Sequence, residues 1–141
     1  MADSAVPDFF ERFPMRRVDS AGLDGTLAEP IDGPGADQGR AGPGAEPLSI
    51  LFLWGRNCPN CDIAKRAILA AADRFRWPGV RWLHDNVYED FDMATRFGLH
   101  GIPAFLLFRG RKPLGRIVSW PGADEFAGAV ERQIAAAGGA P

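Results

Sequence analysis

Two cysteines, Cys58 and Cys61, are the residues of this 141-residue chain whose type and spacing could do redox chemistry. They directly follow the short apolar stretch 48–54 and precede the stretch 62–76, which is rich in helix-forming residues. The pair therefore stands where a buried strand meets a helix. A helix N-terminus carries unpaired N–H groups and a partial positive charge, which both stabilise a thiolate. This pattern predicts Cys58 as a nucleophile and Cys61 as the thiol that resolves a mixed disulfide.

Two other interpretations of the cysteine pair remain open from the residues alone. A zinc site needs four protein ligands, or three and a water molecule, and the only other soft ligands of the sequence are His84 and His100. The two thiols could also be inert and buried. A C-x-x-C sequence between a buried strand and an amphipathic helix favours the redox pair, so we expect no metal.

The elements that would position the cysteines lie in the second part of the chain. The apolar patterns predict strands over 48–54, 80–87, 104–108 and 114–120, and helices over 62–76, 91–97 and 123–137. In the first helix we expect Asn57 as the N-cap and an apolar stripe that includes Ile63, Ala67 and Phe75. The order predicts an α/β fold, with a central mixed β-sheet flanked by helices.

The composition divides the chain into an N-terminal extension, 1–47, and a domain, 48–141. The extension carries 4 Arg against 9 acidic residues, whereas 12 of the 15 aromatic residues follow it. Within it, the stretch 33–47 has no large apolar side chain and is predicted to be a flexible loop. Residues 1–47 could be a disordered tail throughout. Alternatively, residues 8–30 add a short helix near 7–13 and an edge strand near 15–18 to the domain.

The overall composition excludes several classes of protein. A net charge of −2 gives no electrostatic signature of nucleic-acid binding. The sequence has no apolar run of 18 residues, so we expect no membrane span, and the acidic first 14 residues lack the apolar core of a secretory signal. We therefore expect a cytoplasmic protein.

Two segments of the sequence resemble the thioredoxin family. One is 54–61, with a tryptophan four residues before the first cysteine, and the other is 98–105, which contains Gly-Ile-Pro at 101–103. The resemblance covers roughly residues 48–137 and implies a thioredoxin-like fold, with a cis proline at Pro103 facing the dithiol. It also implies a substrate-binding surface formed by Trp54, Pro59, Asn60, Ile102 and Pro103.

The function that the resemblance implies is thiol–disulfide oxidoreduction. We expect a protein-disulfide reductase that works in electron transport and cell redox homeostasis, with no cofactor beyond the redox-active Cys58–Cys61 disulfide. Its partners would be disulfide-containing target proteins and, as electron donor, a thioredoxin reductase or glutathione. We expect a monomer.

The sequence departs from the family pattern at several positions. Family members often carry a buried aspartate, partnered by a lysine, where this chain has Phe52 and His84. His84 could instead transfer a proton for Cys61, or it could be an ordinary surface histidine. Pro59 stands first between the cysteines, which is the glutaredoxin order, so an enzyme acting on glutathione mixed disulfides is one alternative. The other alternative is a binding module or assembly chaperone that holds a peptide at the Pro103 groove.

Overall fold

The computed structural model describes residues 6–30 and 47–139 of the chain. Its helices are α1 (Phe9–Arg12), α2 (Leu23–Ala28), α3 (Pro59–Ala70), α4 (Phe91–Phe97) and α5 (Ala123–Gly139), with a 3-10 turn at Ala72–Phe75. Its strands are β1 (Arg16–Arg17), β2 (Leu48–Trp54), β3 (Val80–Asn86), β4 (Ala104–Arg109) and β5 (Lys112–Val118). The stretch 33–47, which was predicted to be flexible, lies outside the described residues except for Pro47.

The five strands form one mixed sheet in the order β1-β3-β2-β4-β5. The central strand β2 runs parallel to β3 and antiparallel to β4, and β4 continues into the antiparallel edge strand β5. In this register Phe52 lies opposite His84 on one side and Phe105 on the other. The α/β fold with a mixed sheet and flanking helices is thus confirmed.

Helices cover both faces of the sheet, so β2 is buried on both sides. Ile50 and Phe52 point towards the core formed with α1, α3 and α5. The alternate residues Leu51 and Leu53 point towards the second core, formed with α2 and α4. A strand buried on both faces needs a continuous apolar sequence, which explains the run 48–54. No helix in the described ranges is both long and apolar enough to cross a bilayer.

Residues 6–30 pack onto the sheet and both cores. In β1, Arg16 pairs with Leu83 of β3, which makes β1 the parallel edge strand. Phe9 and Phe13 from the α1 region are no more than 1% exposed. This is the arrangement in which residues 8–30 contribute a helix and an edge strand.

The helix after the cysteines differs from its prediction in both its ends and its buried face. It starts at Pro59 with Cys58, not Asn57, as the N-cap, and it ends at Ala70. Ile63, which was expected to be buried, is 50% exposed. The face that packs on the sheet consists of Cys61, Ala64, Lys65 and Ile68. The prediction was wrong because a lysine in this face interrupts its apolar pattern.

Candidate active site

The cysteine pair lies where the chain leaves β2 and enters α3. Asn57 has a φ of 55°, a left-handed conformation that asparagine adopts more easily than most residues. This turn places Cys58 at the N-cap of α3, where its Sγ accepts a hydrogen bond of 3.1 Å from the backbone N–H of Cys61. Cys58 and Cys61 form a disulfide, with their Cα atoms 5.2 Å apart.

The two sulfur-bearing residues differ in their access to solvent. Cys58 is 9% exposed, whereas Cys61 is completely buried in the first turn of α3. The helix N-terminus and the N–H of Cys61 both favour negative charge on Cys58 Sγ. Cys58 is therefore the more accessible of the two, while Cys61 can react with the sulfur of Cys58 beside it.

A loop before β4 lies against the cysteine pair. The carbonyl oxygen of Ile102 is 3.8 Å from Cys58 Sγ, and the Ile102–Pro103 peptide bond is cis. The carbonyl of buried Pro103 accepts a hydrogen bond of 2.8 Å from the N–H of Ser119, just after β5. Ser119 has a φ of 63°, so its backbone is in the left-handed region. The sheet thus fixes the position of this loop relative to Cys58.

A partly apolar groove adjoins the same loop. It encloses about 250 Å³ and is lined by Val87, Tyr88, Phe91, Ala94, Leu99, His100, Gly101 and Ile102. Tyr88 is 44% exposed and Phe91 is 69% exposed, although both are large. At Gly55, an added Cβ would come within 2.6 Å of the Tyr88 ring and 2.7 Å of the Ile102 Cδ1. Gly55 therefore allows these two side chains to lie over the end of β2.

Comparison with known proteins supports the description of the fold. No family model and no curated protein matches this sequence. Among solved structures, one similar chain is mitochondrial thioredoxin 3 from Saccharomyces cerevisiae in its oxidised form, with a TM-score of 0.60 at 14% identity over 87% of this chain and 95% of that one. The fold is thioredoxin-like.

Two further solved structures agree with this assignment. A designed protein has a TM-score of 0.62 at 12% identity and covers 86% of this chain and 94% of its own. A chain from work on the thiol-resolving mechanism in yeast mitochondrial 1-Cys peroxiredoxin via the glutathione and thioredoxin systems has a TM-score of 0.60 at 13% identity, over 86% of this chain and 93% of that one. At these identities the likeness concerns the fold alone.

In this thioredoxin-like fold, His84 lies behind Trp54 in the core that contains α3. Trp54 Nε1 donates a hydrogen bond of 3.1 Å to His84 Nδ1, and the Phe10 ring stacks on the imidazole at 3.8 Å. Burial, together with the charges of Arg17 and Lys65, lowers the pKa of His84 to about 4. The imidazole is therefore neutral at neutral pH, and one of its nitrogens is already an acceptor. Proton transfer by His84 stays a prediction.

Lys65 is a charged residue behind the cysteine pair that sequence reasoning missed. It is 1% exposed, and its Nζ lies 4.0 Å from the centre of the Trp54 ring. Burial lowers the pKa of Lys65, while the carboxylate of Asp62 raises it by a smaller amount. A signal was present in the sequence, since Lys65 follows Cys61 by four residues and therefore lies on the same face of the helix.

Asp85 is a second buried ionisable residue that the sequence analysis missed. It is completely buried on β3, where a hydrogen bond with the Asp90 carboxyl favours its protonated form. Burial raises the pKa of Asp85 to about 8, and the nearby Asp90 carboxyl contributes to this rise. The available signal was that Asp85 is the single carboxylate in the stretch 80–87, which the sequence predicts as a strand.

The structure brings most of the sequence-predicted site residues together. The Ile102–Pro103 loop lies against Cys58, and Trp54 ends the strand that leads to the cysteine pair, whereas Pro59 and Asn60 are exposed in the first turn of α3. His100 lines the groove beside the loop. In the described part of the chain, no three His, Cys, Asp or Glu side chains form a group that could hold a metal ion.

Proposed function

We propose that this protein is a thiol–disulfide oxidoreductase that reduces disulfides in other proteins through Cys58 and Cys61. The observation that carries the proposal is the asymmetry of the pair at the N-terminus of α3. Cys58 has solvent access and a hydrogen bond to its sulfur, and Cys61 is buried directly behind it. A nucleophile and a resolving thiol need this arrangement.

The reaction proceeds in two exchange steps. The Cys58 thiolate attacks one sulfur of a target disulfide, which forms a mixed disulfide and releases the other target sulfur as a thiolate. Cys61 then loses its proton and attacks Cys58 Sγ, which forms the Cys58–Cys61 disulfide and releases the second target thiolate. Two electrons pass from the dithiol to the target. The oxidised product of this sequence is the disulfide state described above.

The cycle needs an electron donor to restore the dithiol. We propose a thioredoxin reductase or glutathione for this role, and a monomer acting in the cytoplasm on disulfide-containing proteins. The Ile102 carbonyl beside Cys58 Sγ and the adjoining groove support a protein substrate, because an extended chain could bind next to the sulfur.

An insulin-reduction assay tests the proposal directly. We expect wild type to reduce insulin in the presence of a dithiol reductant, and Cys58→Ser to be inactive. Cys61→Ser should accumulate a mixed disulfide with insulin, because it can attack but not resolve. Lys112→Met, at the exposed start of β5, is the matched surface control and should equal wild type. A wild-type rate no higher than that of the two cysteine variants would contradict the proposal.

The same preparations can be assayed on a glutathione mixed disulfide. The glutaredoxin-like alternative predicts that this small substrate is reduced faster than insulin, and that Cys61→Ser keeps its activity towards it. Our proposal predicts the opposite order of rates.

A binding module or assembly chaperone is the second candidate function, and the exposed aromatic groove favours it. Tyr88 and Phe91 present large apolar surfaces beside the Ile102 loop. Such surfaces on a soluble domain often bind another protein. This candidate predicts partner binding that survives replacement of both cysteines by serine but weakens in Phe91→Ala. Binding that depends strictly on Cys58 would exclude it.

A further inference from the structure

Lys65 is a buried charged residue that the proposed two-step reaction does not use. It lies four residues after Cys61, and both belong to the face of α3 that packs on the sheet. Residues four apart on a helix are neighbours, and long side chains in helices point back towards the helix N-terminus. The Lys65 side chain therefore extends towards the turn of α3 that carries Cys61.

Aromatic rings surround the amino group of Lys65. Its Nζ lies 4.0 Å from the centre of the Trp54 ring, 5.5 Å from that of Phe10 and 6.0 Å from that of Phe9. The faces of aromatic rings attract a cation, most strongly where water is excluded. This enclosure therefore holds an ammonium group while it keeps water away from it.

The ionisable groups near Lys65 are a carboxylate on its own helix and a neutral histidine on β3, so Lys65 supplies the positive charge on this side of Cys61. On its own helix, Asp62 is half-buried and favours the charged form of Lys65. On β3, His84 is neutral at neutral pH, and Arg17 on β1 acts on His84. The elements α1 and β2 contribute the aromatic rings, and position 52 of β2 holds a phenylalanine.

We propose that Lys65 supplies the positive charge that stabilises the thiolate of Cys61 in the dithiol form of the protein. The proposal deepens the proposed function, since it concerns the resolving step. In that step the Cys61 thiol loses a proton, which neutralises the departing target thiolate, and its electron pair forms the new bond to Cys58 Sγ. The ammonium group of a residue one helical turn away lowers the free energy of the Cys61 thiolate in a site that excludes water. Lys65 forms no covalent bond in this step. It acts on Cys61 through its charge alone, as a positioning residue.

The first test measures the ionisation of Cys61 alone. In a Cys58→Ser background, the ultraviolet absorbance of the thiolate is followed against pH with and without Lys65→Met, which has a similar length and no charge. We expect about a tenfold loss of Cys61 thiolate at a given pH, equivalent to one unit of pKa. Lys65→Arg should restore most of the thiolate, and Lys112→Met should change nothing. An unchanged titration curve in a folded Lys65→Met variant would overturn the proposal.

The second test does not require Lys65 to be replaced. The chain has two lysines, so Lys112→Met leaves Lys65 as the single signal in a protein labelled at lysine Cε with carbon-13. Coupling between two sites is reciprocal, so a thiolate that Lys65 stabilises must in turn stabilise the Lys65 ammonium. We expect the pKa of Lys65 to be higher in the reduced protein than in the oxidised one. Equal values in both states would refute the proposal.

Both tests separate this proposal from the proposed function. Neither uses a target protein, so a chain that fails to reduce insulin can still show the coupling between Lys65 and Cys61. Conversely, the protein could reduce insulin while the pKa of Cys61 stays the same in Lys65→Met. That result would support the proposed function and refute the role of Lys65.

Discussion

Replacing Asp85 by asparagine should stabilise the protein at alkaline pH and remove part of its pH dependence. Asp85 is completely buried, and its pKa rises from 3.8 to about 8 on folding. Between these values the folded protein keeps a proton that the unfolded chain has lost. The free energy of unfolding therefore falls by about 1.4 kcal/mol for each unit of rising pH in this range.

His84 contributes the opposite slope over part of the same range. Its pKa is lowered from 6.5 to about 4, so below pH 6.5 the unfolded chain takes up a proton that the folded protein does not. This contribution to stability is lost as the pH falls. The contributions of Asp85 and His84 cancel between about pH 4 and 6.5, and Asp85 acts alone from 6.5 to 8. The slope falls as the pH approaches the folded-state pKa of about 8, so over this upper interval Asp85 removes about 1.5 kcal/mol of stability.

Urea unfolding of the oxidised protein, followed by tryptophan fluorescence, measures this effect, because the disulfide-bonded cysteines do not titrate. The asparagine side chain has the shape of the protonated carboxyl and can still donate a hydrogen bond towards Asp90. We expect wild type to lose about 1.5 kcal/mol between pH 6.5 and 8, and Asp85→Asn to lose none of it. Asp92→Asn, at an exposed position of α4, should keep the wild-type slope. Parallel curves for wild type and Asp85→Asn would refute the reasoning.

Three further substitutions test other features of the structure. Ser119→Gly should raise the free energy of unfolding by up to about 1 kcal/mol, because glycine adopts a positive φ without the strain of a Cβ; a loss of stability in urea unfolding would contradict this. Gly55→Ala should cost about 1–3 kcal/mol and slow insulin reduction, since its Cβ would displace the Tyr88 ring, and an unchanged rate would speak against the role given to Gly55. Ile68→Ala should cost about 2–5 kcal/mol, whereas Ile63→Ala should cost less than about 1 kcal/mol, and equal costs would contradict the observed face of α3.

The sequence predicted the parts of the fold whose local pattern and final environment agree. The apolar run 48–54 is buried on both faces, and the cysteines after it stand at the N-terminus of α3, as their spacing indicated. The mixed sheet followed from the order of strands and helices and from the hairpin of β4 and β5.

The rest depended on contacts between distant parts of the chain. Lys65 was missed because a lysine normally points to solvent, and its enclosure includes rings from α1, more than 50 residues earlier. Asp85 was missed because its burial depends on the packing of the second core. When one charged residue interrupts an apolar pattern, the predicted buried face of a helix shifts. The true buried face is known only once the packed core is known.

The packing of α1 also determines how far this protein can be truncated from its N-terminus. Composition suggests a boundary near residue 47, but Phe9 and Phe10 supply two of the three rings around the Lys65 amino group. Phe10 also stacks on His84, directly behind Trp54. A fragment that begins at Leu48 would thus keep both cysteines but lose the aromatic rings that exclude water from Lys65 and His84. The smallest unit that retains the complete surroundings of the cysteine pair therefore includes the segment 6–30, which the composition of the sequence separates from the domain.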